Sequence, residues 1–221
     1  MSVITISREL GSRGSMIAEK VAQAMGYRLA DKATVEAIFR EYGMTRLQDE
    51  YDSIPRFWDR FDAHKVDRRK SVLAMLNHAL CALARHGDIV ILGRGGFVIL
   101  QGYVDVLHVR IQAPLEVRVQ RVREQPSSAG PGRAEEVVKA HDRLQADFIR
   151  SVYGADWQNA PAFDLVIDTG KIDPDRAAEL IVAGARALPA RGLAGPTSAE
   201  LQVDKVLAEA VDEVLNAAVP Q

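Results

Sequence analysis

Short runs of β-forming apolar residues alternate along this chain with segments of helical period. Val3–Ser7 is the first run, and "DIVILGRGG", "VDVLHVRIQAP" (ended by Pro114) and "FDLVIDTG" are the next three. The second run is continuously apolar, as a strand buried on both faces must be. Between the runs the period changes. Ile17, Ala18, Val21, Ala22 and Met25 recur at helical spacing, with Gly26 at the expected C-cap. Val72, Leu73, Leu76, Leu80, Leu83 and Ala84 do the same, ended by Gly87. Further helical segments run from about Glu116 to Arg123, from about Arg133 to Tyr153, and through "DPDRAAELIVAGARAL", where Pro174 sits in the first turn. Strands alternating with helices predict an α/β fold, a parallel sheet with helices on both faces.

Length and charge narrow the class. At 221 residues a real core can be buried without a disulfide or metal staple. The single cysteine, Cys81, rules out an internal disulfide and any four-cysteine zinc site. The five histidines show no metal spacing, so no metal site is expected from them. A net charge of -2 argues against nucleic acid as a partner. No apolar run reaches the roughly 18–20 residues of a membrane span, and "MSVITISREL" lacks a secretory pattern. The expectation is a cytoplasmic enzyme or binding module with no membrane partner.

Two segments stand apart. From Arg46 to Lys70, seven basic and six acidic residues interleave with Tyr51, Phe57, Trp58 and Phe61, and the helical phase is poor. "PARGLAGP" over 189–196 reads as a linker, followed by a helix over 197–221. There Thr197 and Glu200 suggest a capping box, and Val203, Val206, Leu207, Ala210, Val214 and Leu215 make an apolar stripe. The stripe packs either on its own domain or on a second subunit, which would make a homodimer.

A Gly-containing loop joins the first strand to the first helix. Backbone N–H groups and a helix N-terminus at such a place make an anion site. "SRELGSRGSMIA" offers Gly11, Ser12, Arg13, Gly14 and Ser15, with cations at Arg8 and Arg13, but it lacks the GxxxxGK[ST] pattern. The alternative reading is a tight turn with Ser15 as the helix N-cap.

The ordered set of segments resembles the cytidylate-kinase-like family of P-loop phosphotransferases. "VITISRELGSRGSMIAEKVAQAMGYRLADK" resembles its opening, "VILGRGGFVIL" its second strand and turn, "VLHVRIQAPLEVRVQRV" its third strand and the start of its lid, and "HDRLQADFIRSVYGADW" with "FDLVIDTGKI" its closing part. The resemblance covers roughly residues 1 to 185. It implies a kinase-like body over 1–188 that uses ATP and Mg²⁺, with an acceptor-binding region over about 32–70 and a lid over about 116–153.

Carried over by resemblance, Gly11, Ser12, Gly14 and Ser15 cradle the ATP phosphates. Gly14 stands where typical cytidylate kinases have lysine and Met16 where they have the hydroxyl residue, so Arg8 or Arg13 is expected to supply the charge and Ser12 or Ser15 the metal-facing hydroxyl. Arg94 matches the Arg of a "GR" motif on the monophosphate, with Gly95 in place of the family's base-recognising Asp. Asp31 matches an acidic residue near the monophosphate, or else caps the helix from about Lys32. Arg118 and Arg121 share one helix face and suit a triphosphate, or form a solvated charged face. Gln145 stands where the family often has another Arg. Asp168 ends the fourth run and either orients a ligand or a water or caps the turn with Thr169, the cap being the preferred reading.

The leading expectation is an ATP-dependent phosphotransferase acting on a nucleoside monophosphate such as CMP, with Arg13, Arg118 and Arg121 as catalytic cations. The alternatives are a kinase-derived nucleotide-binding or regulatory module with little turnover, and a kinase of another small acceptor.

Overall fold

A computed structural model describes residues 2–43, 64–124, 130–188 and 192–217. Five strands form one parallel sheet in the order β2-β3-β1-β4-β5. They are β1 Val3–Arg8, β2 Arg28–Ala30, β3 Ile89–Leu92, β4 Val106–Gln112 and β5 Leu165–Asp168. The helices, in chain order, are α1 Gly14–Met25, α2 Lys32–Glu41, α3 His64–His86, α4 Gly96–Ile99, α5 Leu115–Arg123, α6 Gly130–Tyr153, α7 Pro174–Ala187 and α8 Lys205–Ala217.

Alternation along the strands decides which layer each residue joins. Ile4, Ile6, Val90, Leu92, Val109 and Ile111 face α1 and α7, where Ile17, Val21, Ile181 and Val182 close a buried cluster. Val3, Ile89, Ile91 and Val106 face the opposite way, against Phe39, Leu76, Leu80 and Leu83 of α2 and α3. Both faces are therefore dry, which is why the strands read as continuous apolar runs.

The carboxyl half of the second face changes character. Thr5, Ser7, His108 and Arg110 are buried polar residues at the same strand parity as Val3 and Val106. They lie on the side of Trp157, whose indole N–H donates to Ser7 Oγ at 2.8 Å. The sheet is apolar where it needs only packing and polar at the edge where the loops converge.

Three features differ from the sequence expectation. β2 is a fifth strand of three residues, too short to show a period. α3 begins at His64, within the stretch of poor helical phase. The Thr197–Glu200 capping box is formed, but it closes a 3₁₀ turn over Ser198–Glu200. α8 starts later, where Asp204 accepts from the Leu207 N–H at 3.0 Å.

The stripe of α8 is used within the chain. Leu207, Val211 and Leu215 are buried in the cluster formed by α2 and α3, while Val206 stays exposed. The end of the expected linker is tied down as well: the Pro196 carbonyl accepts from the Val104 N–H at 3.0 Å, and Ser198 Oγ pairs with Asp105 at 2.6 Å. Trp58, Phe61 and residues 44–63 of the expected acceptor region, with 125–129 of the expected lid, lie outside the described residues.

Candidate active site

In an open parallel sheet, ligands bind beyond the carboxyl ends of the strands, where the connections diverge to opposite sides. Here that place is the end of β1, flanked by β3 and β4. The loop from Glu9 to Arg13 leaves β1 there and delivers the chain into α1.

The N-cap of α1 is Arg13, in the left-handed conformation (φ 63°) and with no side-chain cap hydrogen bond. This removes the alternative reading in which Ser15 caps the helix: Ser15 lies in the first turn and is exposed. The first-turn N–H groups, at Gly14, Ser15 and Met16, have no acceptor within the helix. They point, with the positive end of the helix dipole, toward the carboxyl edge of the sheet.

Glycine is required at Gly14 by a neighbour. A Cβ there would stand 2.4 Å from Cβ of Arg8. Arg8 also spans to the next loop, where a Cβ on Gly93 would stand 2.6 Å from its Nη1. The run Gly93, Arg94, Gly95 is left-handed throughout (φ 77°, 59° and 76°). A Cβ on Gly95 would meet the Tyr153 ring at 2.6 Å, so that turn is pressed against α6. Burial raises the pKa of the Tyr153 hydroxyl, which donates to Asn77 Oδ1 at 3.0 Å. Arg94, Arg8, Ser7, Gln145 and Trp157 line one pocket at this edge.

The expected arginines separate into two kinds. Arg118 is buried: it contacts Glu9 Oε2 at 3.2 Å and Asp142 at 2.9 Å, and donates to the carbonyls of Ala113 (2.9 Å) and Leu10 (3.4 Å). Its fork braces the loop from behind. Arg121 is half-buried and donates to the Gly11 carbonyl at 3.2 Å and to Thr169 Oγ1 (3.1 Å) and carbonyl (2.7 Å). Burial lowers its pKa, the charge of exposed Arg13 lowers it further, and Asp168 and Glu124 oppose. Arg13 and Arg121 thus gather positive charge beside the α1 N-terminus.

The hydroxyls also separate. Ser12 is fully buried and donates to the Glu9 carbonyl at 2.7 Å, and its own carbonyl accepts from Thr169. Ser15 faces outward. Asp31 caps α2 in a reciprocal box with Thr34, its Oδ1 accepting from the Thr34 N–H at 3.0 Å. Asp168 accepts from the Gly170 N–H at 2.7 Å, as a turn cap.

Sequence reasoning passed over Glu9, Arg110 and His141. Arg110 is buried, lies 4.5 Å over the Trp157 ring, and donates to the Trp157 carbonyl and to Glu9 at 3.0 Å. The available signal was parity: a charge at a core-facing position of an otherwise apolar strand. His141, on α6, has its pKa lowered by burial and by Arg8 and Arg118, with Asp142 opposing. Nothing local in the sequence marks it. Among the described residues no group of three or more His, Cys, Asp or Glu side chains could hold a metal ion, and no helix is long and apolar enough to cross a membrane.

The parallel sheet, with a glycine-containing loop and an uncapped helix N-terminus at its carboxyl edge, has the architecture of the P-loop kinase class of phosphotransferases. More narrowly, the chain belongs to the cytidylate kinase-like family, whose model matches residues 3–171. Among curated proteins it is 27% identical over 182 residues to a cytidylate kinase of Ignicoccus hospitalis, covering 82% of this chain and 97% of that protein. It is 26% identical over 180 residues to one of Pyrobaculum aerophilum, covering 81% and 90%. Among solved structures, an uncharacterized protein from Eubacterium ventriosum ATCC 27560 shares the fold at TM-score 0.64 and 19% identity, covering 85% of this chain and 99% of that one. A sugar kinase from Janibacter sp. HTCC2649 does so at TM-score 0.51 and 16% identity, covering 88% and 99%.

Proposed function

We propose that this protein transfers the γ-phosphoryl group of ATP to a nucleoside monophosphate such as CMP, in the cytoplasm. The observation that carries the reading is the uncapped N-terminus of α1, flanked by Arg13 and Arg121 and adjoined at Gly14 by Arg8, which with Arg94 lines a pocket. That arrangement supports a reading with a triphosphate site and an acceptor-phosphate site on one edge of the sheet.

The residues present fit ATP with Mg²⁺. The close approach of Arg8 at Gly14 leaves no room for a side chain there, so a backbone N–H is presented directly. When bound, ATP supplies the phosphoryl group and Mg²⁺ neutralises its oxygens. Gly11, Gly14 and Ser15 form the cradle, and Ser15 offers the metal-facing hydroxyl because that of Ser12 is engaged with Glu9. Arg13 and Arg121 stabilise charge on the transferred group, replacing a lysine point charge with planar forks. Arg94, with Arg8, holds the acceptor phosphate. Arg118 acts one step back: it positions the loop and touches no ligand. Asp31 holds the start of α2 below the acceptor region.

A coupled ATP-consumption assay over a panel of nucleoside monophosphates and small alcohols tests this. Turnover with CMP is expected, and Arg94→Ala should raise the acceptor KM at least about tenfold, roughly 1.4 kcal/mol for a lost charge-assisted phosphate contact. Turnover only with another acceptor would move the substrate class. Nucleotide binding without any turnover would favour the regulatory-module reading, which the engaged Ser12 hydroxyl and Gln145 in the pocket support.

A further inference from the structure

A loop that binds phosphate through backbone N–H groups works only if those groups already point at the ligand, because each must be placed to within about half an ångström. Glycines permit such a loop but do not hold it. In this chain the holding is concentrated on one carboxylate.

Glu9 is the first residue after β1, and its side chain is 13% exposed. Its Oε1 accepts from Arg110 Nη2 at 3.0 Å. Its Oε2 accepts from the Ala113 N–H at 3.2 Å and lies 3.2 Å from Arg118 Nε. Its backbone carbonyl accepts from both the N–H and the hydroxyl of Ser12, at 3.2 and 2.7 Å, which closes the turn. The line continues outward: Arg118 reaches the Leu10 carbonyl and then Asp142 on α6 at 2.9 Å. Two carboxylates and two guanidinium groups balance, so the network adds no negative field to the loop. Arg13 and Arg121 add positive potential beside it.

We infer that Glu9 is the positioning residue of the phosphate loop, and that Arg118 and Asp142 extend its grip to the long helix α6. This rests on the reading of the loop as a phosphate site. A preset loop explains how N–H groups suffice where the usual lysine is absent. The tie to Asp142 means that a displacement of α6 reaches the loop through one buried arginine.

The test compares wild type, Glu9→Gln and Asp142→Asn, each well below its Tm. Tripolyphosphate is titrated calorimetrically, and amide hydrogen exchange is followed over 11–15, with α7 as the internal control. Glu9→Gln should weaken tripolyphosphate about tenfold, equivalent to roughly 1.4 kcal/mol, and accelerate exchange in the loop but not in α7. Asp142→Asn should act in the same direction, by about threefold, since it removes only the far end of the chain of contacts. A role confined to overall stability would lower Tm and leave the affinity of the folded variants unchanged, and that result overturns the inference. If Glu9→Gln does not fold, Asp142→Asn decides, and unaltered loop exchange there overturns it. Wild type that fails to bind tripolyphosphate overturns the phosphate-site reading, while loop exchange still decides whether Glu9 positions the loop.

Discussion

Arg13 sits in a conformation that bulky residues avoid (φ 63°), at the mouth of a helix it does not cap through its side chain. Such backbone costs about 1–2 kcal/mol in a residue with a Cβ, and a glycine there would be relaxed. Its charge also opposes that of Arg121. A position that carries both penalties gains nothing for the fold from its side chain, which supports the ligand role proposed for Arg13. Arg13→Gly should therefore leave Tm unchanged or higher, by up to about 1 kcal/mol of stability, while tripolyphosphate binding weakens about tenfold. Scanning calorimetry and titration of the same sample would separate the two, and a lower Tm with unaltered binding would reverse the assignment. The sequence shows Gly11, Arg13 and Gly14 as turn formers and a charge. It does not show that Gly14 is required by the approach of Arg8, because that contact is set by how β1 enters the loop.

Among the elements, those with a sustained period were legible and the short ones were not. α1, α7 and four strands follow from apolar spacing, whereas β2, with three residues, and α4, with four, carry too few positions to show a phase. The C-terminal helix is the instructive case. Its stripe was readable, but a stripe specifies a face and not a partner. The structure supplies the partner as α2 and α3 of the same chain, with Leu207 1% exposed between them. Leu207→Ala should cost about 3 kcal/mol, and Asp204→Ala, which removes the helix cap, about 1 kcal/mol. Urea titrations measure both, and a neutral Leu207→Ala would mean that α8 contributes little to the fold in solution.

At the scale of the whole molecule, charge and protonation become collective. Residues 1–30 hold four basic and two acidic side chains, and 94–123 hold five and two, so both segments are basic within a chain of net charge -2. The fold brings Arg8, Arg13, Arg110, Arg118 and Arg121 to one edge. It then divides them: Arg110 and Arg118 are neutralised by Glu9 and Asp142, while Arg13 and Arg121 stay beside the open helix end. His108 and His141 enter the same balance. Burial lowers both pKa values from 6.5, with Asp164 opposing at His108, and Arg8 and Arg118 reinforcing and Asp142 opposing at His141. The unfolded chain therefore takes up protons at a higher pH than the folded one. As far as these two histidines go, stability should be level from about pH 7 to about pH 8 and fall as the pH drops through about 6.5. His141→Gln should flatten that profile, and Tm recorded from about pH 7.5 to about pH 5 would show it; an unchanged slope would mean that His141 is not shielded as described. The sequence by itself determined the class of fold, because periods of two and of 3.6 are properties of neighbouring residues. Only the tertiary structure decided which arginines are paired with carboxylates and which stand beside the open helix end: Glu9 and Arg110 stand 101 residues apart, and a charge's role depends on what folding places beside it.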